Sequence, residues 1–424
     1  MQIRPIVATL RKHKLTATLL ALQVAFTCAI VCNAVFLIVQ RVERITVPSG
    51  LDEASLSIVT VHDLQVKPGS EALSLHKADV AALRRLPGVE SATLISNVPF
   101  THSRHSSGGC TSLDAIEAVK KAHSIDVPGC ASADVYTGGP DTLRTLGLKL
   151  VAGRDFRVGE YLPDKADGPV NFPAMIVTRQ FAERLFPAHP AHVVGRVVYF
   201  GGSGIMSGYG TPIVGVVAHL HRNDFGGAGS DDQSVVLPVE PVRGHAMFAL
   251  RSKPSDRAGV MKEAAAALVK RVPSRQVSAD DAQTYAQIRS DYFRRDATMV
   301  DLLLAAALGL LFVTALGITG LASFWVQQRT RTIGIRRAIG ATRGDILRYF
   351  QTENFLIVTL GVVLGVLLAV GLNLLLMKHY EMPRLPLWYL PVGALALWVL
   401  GQLAVLAPAL RASNVPPVVA TRSV

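Results

Sequence analysis

Four stretches of this chain, 15–39, 302–326, 354–377 and 385–410, contain no Asp, Glu, Lys or Arg. About 20 consecutive apolar residues wound as a helix cross the hydrocarbon core of a bilayer. An ionised side chain at the centre of such a helix costs roughly 2.5–3.5 kcal/mol on insertion scales. The pattern therefore predicts transmembrane helices at 15–39, 298–326, 354–377 and 385–410, and the fold class of an α-helical membrane protein with four transmembrane helices. Arg4, Arg11, Lys12 and Lys14 ahead of the first stretch also suit a signal peptide. A signal peptide's apolar core runs about 7–15 residues. This one has 25, with no small-x-small cleavage pattern before Gln40-Arg41, so it is read as a retained anchor.

Between the first two spans, 40–297 is long enough for a core of its own and predicts a large extracytoplasmic α+β domain of two lobes. Residues 75–86 read as a helix with Ser74 as N-cap, stopped by Pro87-Gly88 and followed by the strand-like VESATLI. The Ala-rich 255–271 reads as a second helix, stopped by Pro273 and followed by RQVSA. With strands at Leu56–Val61 and Ala246–Leu250, these form two βαβ-like units of one α/β lobe, about 45–100 and 236–285. The middle, about 101–235, carries glycines and short β-like runs at 174–178, 193–200 and 212–218, and reads as a mostly β lobe inserted into the first. Residues 201–210 (GGSGIMSGYG) read as a loop. From 283 the chain turns helical and runs into the second span.

The net charge of +12 would suggest nucleic acid in a soluble protein, but half the residues are hydrophobic and mean hydropathy is +0.35. Its distribution follows the positive-inside rule instead. The start of the chain, 1–14, is basic, and 327–353 carries Arg329, Arg331, Arg336, Arg337, Arg343 and Arg348 against Asp345 and Glu353. Both segments belong in the cytoplasm. The 411–424 tail then returns there, 40–297 lies outside, and 378–384 is a short outer loop. No nucleic-acid partner is implied; the lipid membrane is.

Cys28 and Cys32, one helical turn apart in the first span, read as packing residues. Cys110 and Cys130 fall in the outer domain, an oxidising compartment, and are disulfide candidates. Such a bridge stabilises by about 3 kcal/mol in the chain-entropy model. His102 and His105 beside these cysteines have the residue types of a zinc site, but read as a solvated loop next to a disulfide. His189/His192 and His219/His221 are short pairs without carboxylate neighbours at metal-like spacing, and read as surface loops. Neither a Gly-x-Ser-x-Gly elbow nor a phosphate-cradling GxxxxGK[ST] occurs. No catalytic, metal or cofactor-binding residue is expected.

The cytoplasmic segment is the most specific part of the sequence. Ile333, Ile335 and Ile339 give 329–339 an apolar side among arginines, Gly340 is a helix stop, and Thr342 with Asp345 fits a capping box that restarts a helix near Arg343. RTRTIGIRRAIGATRGDILRYFQTENFLI resembles the ExIGIRRAxGATRxDIxxxFxxE stretch of the MacB/FtsX-like ABC permeases, with Thr332 where many members carry an acid. TLRTLGLKLVAGRDF (142–156), MIVTRQFAERLFP with VVGRVVYF and TPIVGVVA, and the tail PALRASNVPPVVATR (408–422) are similar to further family segments. Together they cover most of the chain.

The resemblance implies a permease dimer in the bacterial inner membrane, multi-pass, with cytoplasmic termini and a MacB-like periplasmic domain. It implies docking on a cytoplasmic ATPase, which would bind the ATP and Mg. MacB carries that ATPase fused; here it is expected as a separate chain. Ile333, Ile335, Arg336, Arg337, Ile339, Gly340, Thr342 and Asp345 are the expected ATPase-coupling residues, moving the outer domain by mechanotransmission. The second permease is a copy or a paralogue, and a periplasmic adaptor with an outer-membrane channel would fit efflux of a peptide or antibiotic. Lipoprotein release by a relative of the same family, and a membrane-tethered sensing module without transport, stay open. An ion-coupled carrier is disfavoured, because the four stretches hold no Asp, Glu, Lys or Arg. Gly361, Gly365 and Ala369 form a small-xxx-small stripe that packs either within the subunit or across the dimer.

Overall fold

The computed structural model describes residues 14–64, 69–101, 105–164, 171–190, 192–201, 209–223, 225, 231–242, 245–380 and 386–414. The N-terminal 1–13, most of the 201–210 and 378–384 loop expectations, His102 and the end of the tail lie outside them. In chain order the elements begin α1 (Lys14–Thr46), β1 (Leu56–Asp63), α2 (Gly69–Leu83), β2 (Val89–Ile95), β3 (Ser106–Cys110), α3 (Leu113–Ala122), β4 (Cys130–Thr137), α4 (Thr142–Leu146) and β5 (Leu150–Gly153). Next come β6 (Leu162–Pro163), β7 (Met175–Thr178), α5 (Arg179–Leu185), β8 (Val197–Gly201), β9 (Gly210–Val217), β10 (Ser234–Leu237) and β11 (Val239–Glu240). The chain closes with β12 (His245–Ser252), α6 (Arg257–Arg271), β13 (Arg275–Gln276), β14 (Ala282–Thr284), α7 (Tyr285–Tyr292), α8 (Arg294–Gln328), α9 (Thr330–Ala338), α10 (Arg343–Tyr380) and α11 (Tyr389–Ser413). Two compact units result: 47–294, and the helices of 1–46 with 295–424.

In the outer unit the first sheet runs β13-β1-β12-β2, each neighbour antiparallel, with β14 also on β1. β1 and β2 are thus parallel around β12, and β12 and β13 parallel around β1. β1–α2–β2 and β12–α6–β13 are two interleaved split βαβ units. Leu83 of α2 and Val260, Ala264 and Leu268 of α6 cover Val59, Val61, Ala92, Leu94, Phe248 and Leu250 of the sheet. The helix read from Ser74 begins five residues earlier, at Gly69; Ser74 lies inside it, its Oγ donating to Ser70 O at 2.9 Å. A serine that bonds back to the preceding turn mimics a cap in sequence without being one.

The inserted lobe holds a seven-stranded sheet, β5-β9-β7-β10-β4-β3-β8, in which β8 also pairs with β9. That last pairing closes six strands into a ring and leaves β5 alongside β9. Met175, Val177, Val198, Ile213, Val235 and Leu237 fill it with Phe181 and Leu185 from α5. Gly201 and Gly210, placed in a loop by sequence, end β8 and begin β9. Cys110 and Cys130 are cross-strand partners on β3 and β4, joined as a disulfide that closes the excursion carrying α3. Ser112 caps α3 by accepting from Ala115 N at 3.1 Å.

A charged network lies under the first sheet. Arg275 reaches Asp63 and Asp79 at 2.7 Å each, Arg271 reaches Asp79 at 2.9 Å, and fully buried His76 lies 3.8 Å from Asp63. Burial, helped by Arg275, lowers the His76 pKa below its ordinary 6.5 despite both aspartates. The folded protein therefore resists a proton that the unfolded chain accepts. Stability is complete above pH 6.5 and falls as pH drops below it, by up to about 1.4 kcal/mol per pH unit from this group. Thermal unfolding of the full chain between pH 7 and 5 checks this: His76→Gln should flatten the slope, and an unchanged slope removes His76 as its source.

In the helical unit, among the described residues, four helices are long and apolar enough to cross a membrane. The 33 residues of α1 span about 50 Å at 1.5 Å per residue, against about 30 Å of hydrocarbon. The first three predicted spans are the apolar middles of longer helices, whereas the fourth, read from 385, begins as a helix only at Tyr389. Beyond the charge-free stretch, Arg41 of α1 meets Asp296 of α8 at 2.5 Å.

The small-residue stripe of α10 faces α1 of the same subunit. A Cβ at Gly361 would stand 2.7 Å from Val24 Cβ, and one at Gly365 2.4 Å from Cys28 Cβ. Ala369 O accepts from Asn33 Nδ2 at 3.3 Å. Thr27 with Thr314 at 2.8 Å, and Asn354 Nδ2 to Gly401 O at 2.9 Å, add hydrogen bonds between helices. Cys28 and Cys32 are buried free thiols in this packing.

Candidate coupling site

α8 ends where Arg329 leaves the helical conformation, and α9 starts one residue later. Ile339 caps α9 at its C-terminus. Gly340 follows at φ 104°, a left-handed backbone that glycine adopts without a Cβ penalty. Its N–H and that of Ala341 return to Arg337 O (3.1 Å) and Arg336 O (3.0 Å), satisfying carbonyls that the helix end leaves open. Thr342 and Asp345 then bond reciprocally: Thr342 N and Oγ1 donate to Asp345 Oδ2 at 3.0 and 2.6 Å, and Asp345 N donates to Thr342 Oγ1 at 3.2 Å. This capping box starts α10.

The isoleucines divide between two environments. Ile333 is buried with Ile346 and Phe350 in the bundle core, whereas Ile335 is 45% and Ile339 82% exposed. The apolar side read from sequence is therefore two faces, one holding α9 to the bundle and one directed outward. The Arg336 guanidinium lies 5.0 Å from the Tyr349 ring centroid, a cation–π contact that orients it on the outward side. Arg337 is half-buried and Thr332 exposed.

Sequence reasoning counted Arg329 and Glu353 only as charges. Arg329 Nη1 donates to both Glu353 carboxylate oxygens at 3.1 and 2.9 Å, and that carboxylate is 2% exposed. Breaking a buried pair leaves a charge without compensation, so the pair fixes the α8–α9 junction to α10. Opposite charges bracketing the motif, 24 residues apart, were its only trace in sequence.

His219 is exposed in a loop, as read, whereas the His221 reading needs correction. His219 pairs with Asp232, 13 positions along the chain, at 2.7 Å. His221 is fully buried, against the Phe100 ring at 4.9 Å. The Phe100 ring comes from a distant segment, which local sequence does not reveal. Among the described residues no group of three metal-ligating side chains converges.

The family profile described as FtsX-like permease C-terminal matches 304–417, and that described as MacB-like periplasmic core domain matches 17–290. This chain belongs to the MacB/FtsX-like family of ABC permeases. Similar curated proteins include the macrolide export ATP-binding/permease protein MacB of Chromobacterium violaceum, 26% identical over 68% of this chain and 43% of that one. MacB of a Shewanella species is 26% identical over 74% of this chain and 45% of that one. The chain thus spans less than half the length of these relatives. The crystal structure of the periplasmic region of MacB from Actinobacillus actinomycetemcomitans is 12% identical over 58% of this chain and 97% of that one, at a TM-score of 0.33. As a MacB/FtsX-like permease the chain is an inner-membrane protein, and its outer unit is a MacB-like periplasmic domain.

Proposed function

We propose that this chain is the permease subunit of an ABC exporter, in which a separate cytoplasmic ATPase acts through α9 to move the periplasmic domain. The observation that carries the reading is the division of α9. Ile333 and the Arg329–Glu353 pair hold the helix to the bundle, while Ile335, Ile339 and Arg336 face outward. An amphipathic helix of this kind lays its apolar side in a groove of a partner, and arginines make charge-assisted hydrogen bonds to acids at the groove's rim.

With α9 on the cytoplasmic side, both termini are cytoplasmic and the partner, not this chain, holds ATP and Mg. A second permease, a copy or a paralogue, completes the machine. The cargo is a peptide, antibiotic or similar compound, delivered outside the membrane with or without an adaptor and outer-membrane channel.

Gentle purification of the tagged chain from its native membrane, with mass spectrometry of what stays bound, tests this. An ATP-binding cassette protein at near-equal stoichiometry is expected. An intact, dimeric preparation without one overturns the reading in favour of a sensing module.

A further inference from the structure

The outer unit begins at Val47, directly after α1, and ends at Arg294, where α8 starts. One side chain spans these ends. Arg289 on α7 donates through Nη1 to Glu53 Oε1 at 2.6 Å and through Nη2 to Val47 O at 2.5 Å. Glu53 in turn accepts from Ser49 Oγ at 2.7 Å. The same guanidinium lies 5.0 Å from the Phe100 ring centroid and 5.6 Å from that of Phe293. Its side chain is only 17% exposed.

The floor of this arrangement is itself constrained. Phe100 is buried and holds φ at 61°, a left-handed conformation uncommon for a bulky residue. It keeps that conformation because the surroundings fix it: its ring packs against Phe293 at 5.0 Å, and Tyr285 on α7 donates to Pro99 O at 3.1 Å. The segment leaving α1 and the helix entering α8 are thus fastened to each other and to one rigid point, although 242 residues separate Val47 from Arg289.

The geometry points to Arg289 as a positioning residue that joins the two crossings into a single stem, so that displacement of α1 and α8 moves the outer unit as a block. This rests on the permease reading above. Planarity and two-ended donation matter here: a lysine keeps the cation over the rings but cannot make both bonds in that fork.

Hydrogen–deuterium exchange on the full chain in lipid nanodiscs tests the stem without any partner. Arg289→Gln should speed exchange in 47–54 and 285–292 by about tenfold or more, the scale of one lost charge-assisted hydrogen bond, while β7 and β9 stay protected. Arg289→Lys should fall between. Unchanged exchange in 47–54 overturns the stem. The transmission role is tested in the complex with its ATPase, comparing nucleotide-free with ATP–vanadate-trapped samples. In the wild type, nucleotide should alter exchange in the outer unit. In Arg289→Gln the change should stop at residues before 47 and after 294, with partial recovery in Arg289→Lys. A full nucleotide response in Arg289→Gln overturns the transmission role. A wild type whose outer unit ignores nucleotide refutes the permease reading and this role together, while the first comparison still decides the stem.

Discussion

Arg336→Glu combined with Arg337→Glu should leave the protein inserted and folded yet uncouple it from ATP hydrolysis. Arg336 is exposed on the outward side of α9, resting on Tyr349. Hydrogen bonds to charged groups contribute about 1.5–3 kcal/mol each. Reversing two charges removes that attraction and adds repulsion from any acidic rim, so affinity for the ATPase should fall on the order of a hundredfold or more. The folded chain loses less. Cations at a helix C-terminus stabilise it by about 0.3–1 kcal/mol each, and neither Ile333 nor the Arg329–Glu353 pair is touched. ATPase binding and permease-stimulated hydrolysis are the readouts, with Arg348→Glu as the control for altered charge near the membrane. Normal coupling in the double variant, or equal loss in the control, would falsify the docking role of α9.

Gly365→Leu should prevent the bundle from assembling. The first added carbon would lie 2.4 Å from Cys28 Cβ and 2.8 Å from Ala25 O, and a carbonyl of α1 has no rotamer by which to move away. Membrane helices associate through close packing, without a hydrophobic drive between them. Overpacking costs about 1–3 kcal/mol even where side chains adjust; here two backbones must separate. Gly371 lies on the same helix with nothing within 4 Å of a Cβ, so Gly371→Leu should be tolerated. Thermal stability of the two purified variants, side by side, decides the matter. Equal melting temperatures would show that α1 and α10 are not packed on the 361–365 face.

What could be read from the sequence follows from how far each signal reaches along the chain. The apolar stretches, the Pro87-Gly88 stop before β2 and the Thr342–Asp345 box act within a few residues, and local spacing reports them. The long helices were read too short because Arg41, Asp296, Arg343 and Asp345 interrupt the apolar runs without interrupting the backbone. Ser74 misled because a hydroxyl bonding back inside a helix and a capping hydroxyl look alike in sequence. The remaining differences are matters of long-range pairing. Ile333 and Ile335 are two positions apart yet face the bundle and the outside, respectively. His221 is buried because Phe100, 121 positions away, packs on it. Whether the 361–369 stripe met a helix of its own subunit depended on where α1 lies, which no spacing within α10 encodes.

The pairing of β2 with β12 has a consequence for how such proteins diversify. Ile95 and Met247 are register partners on adjacent antiparallel strands, so the whole inserted lobe leaves and re-enters the frame where a hairpin turn would sit. A link of two to five residues suffices for such a turn, and the split βαβ frame would close without the insertion. The lobe is a cassette in the architectural sense. Its length, its disulfide-bound excursion and its surface can be rewritten, while the split βαβ frame keeps its geometry.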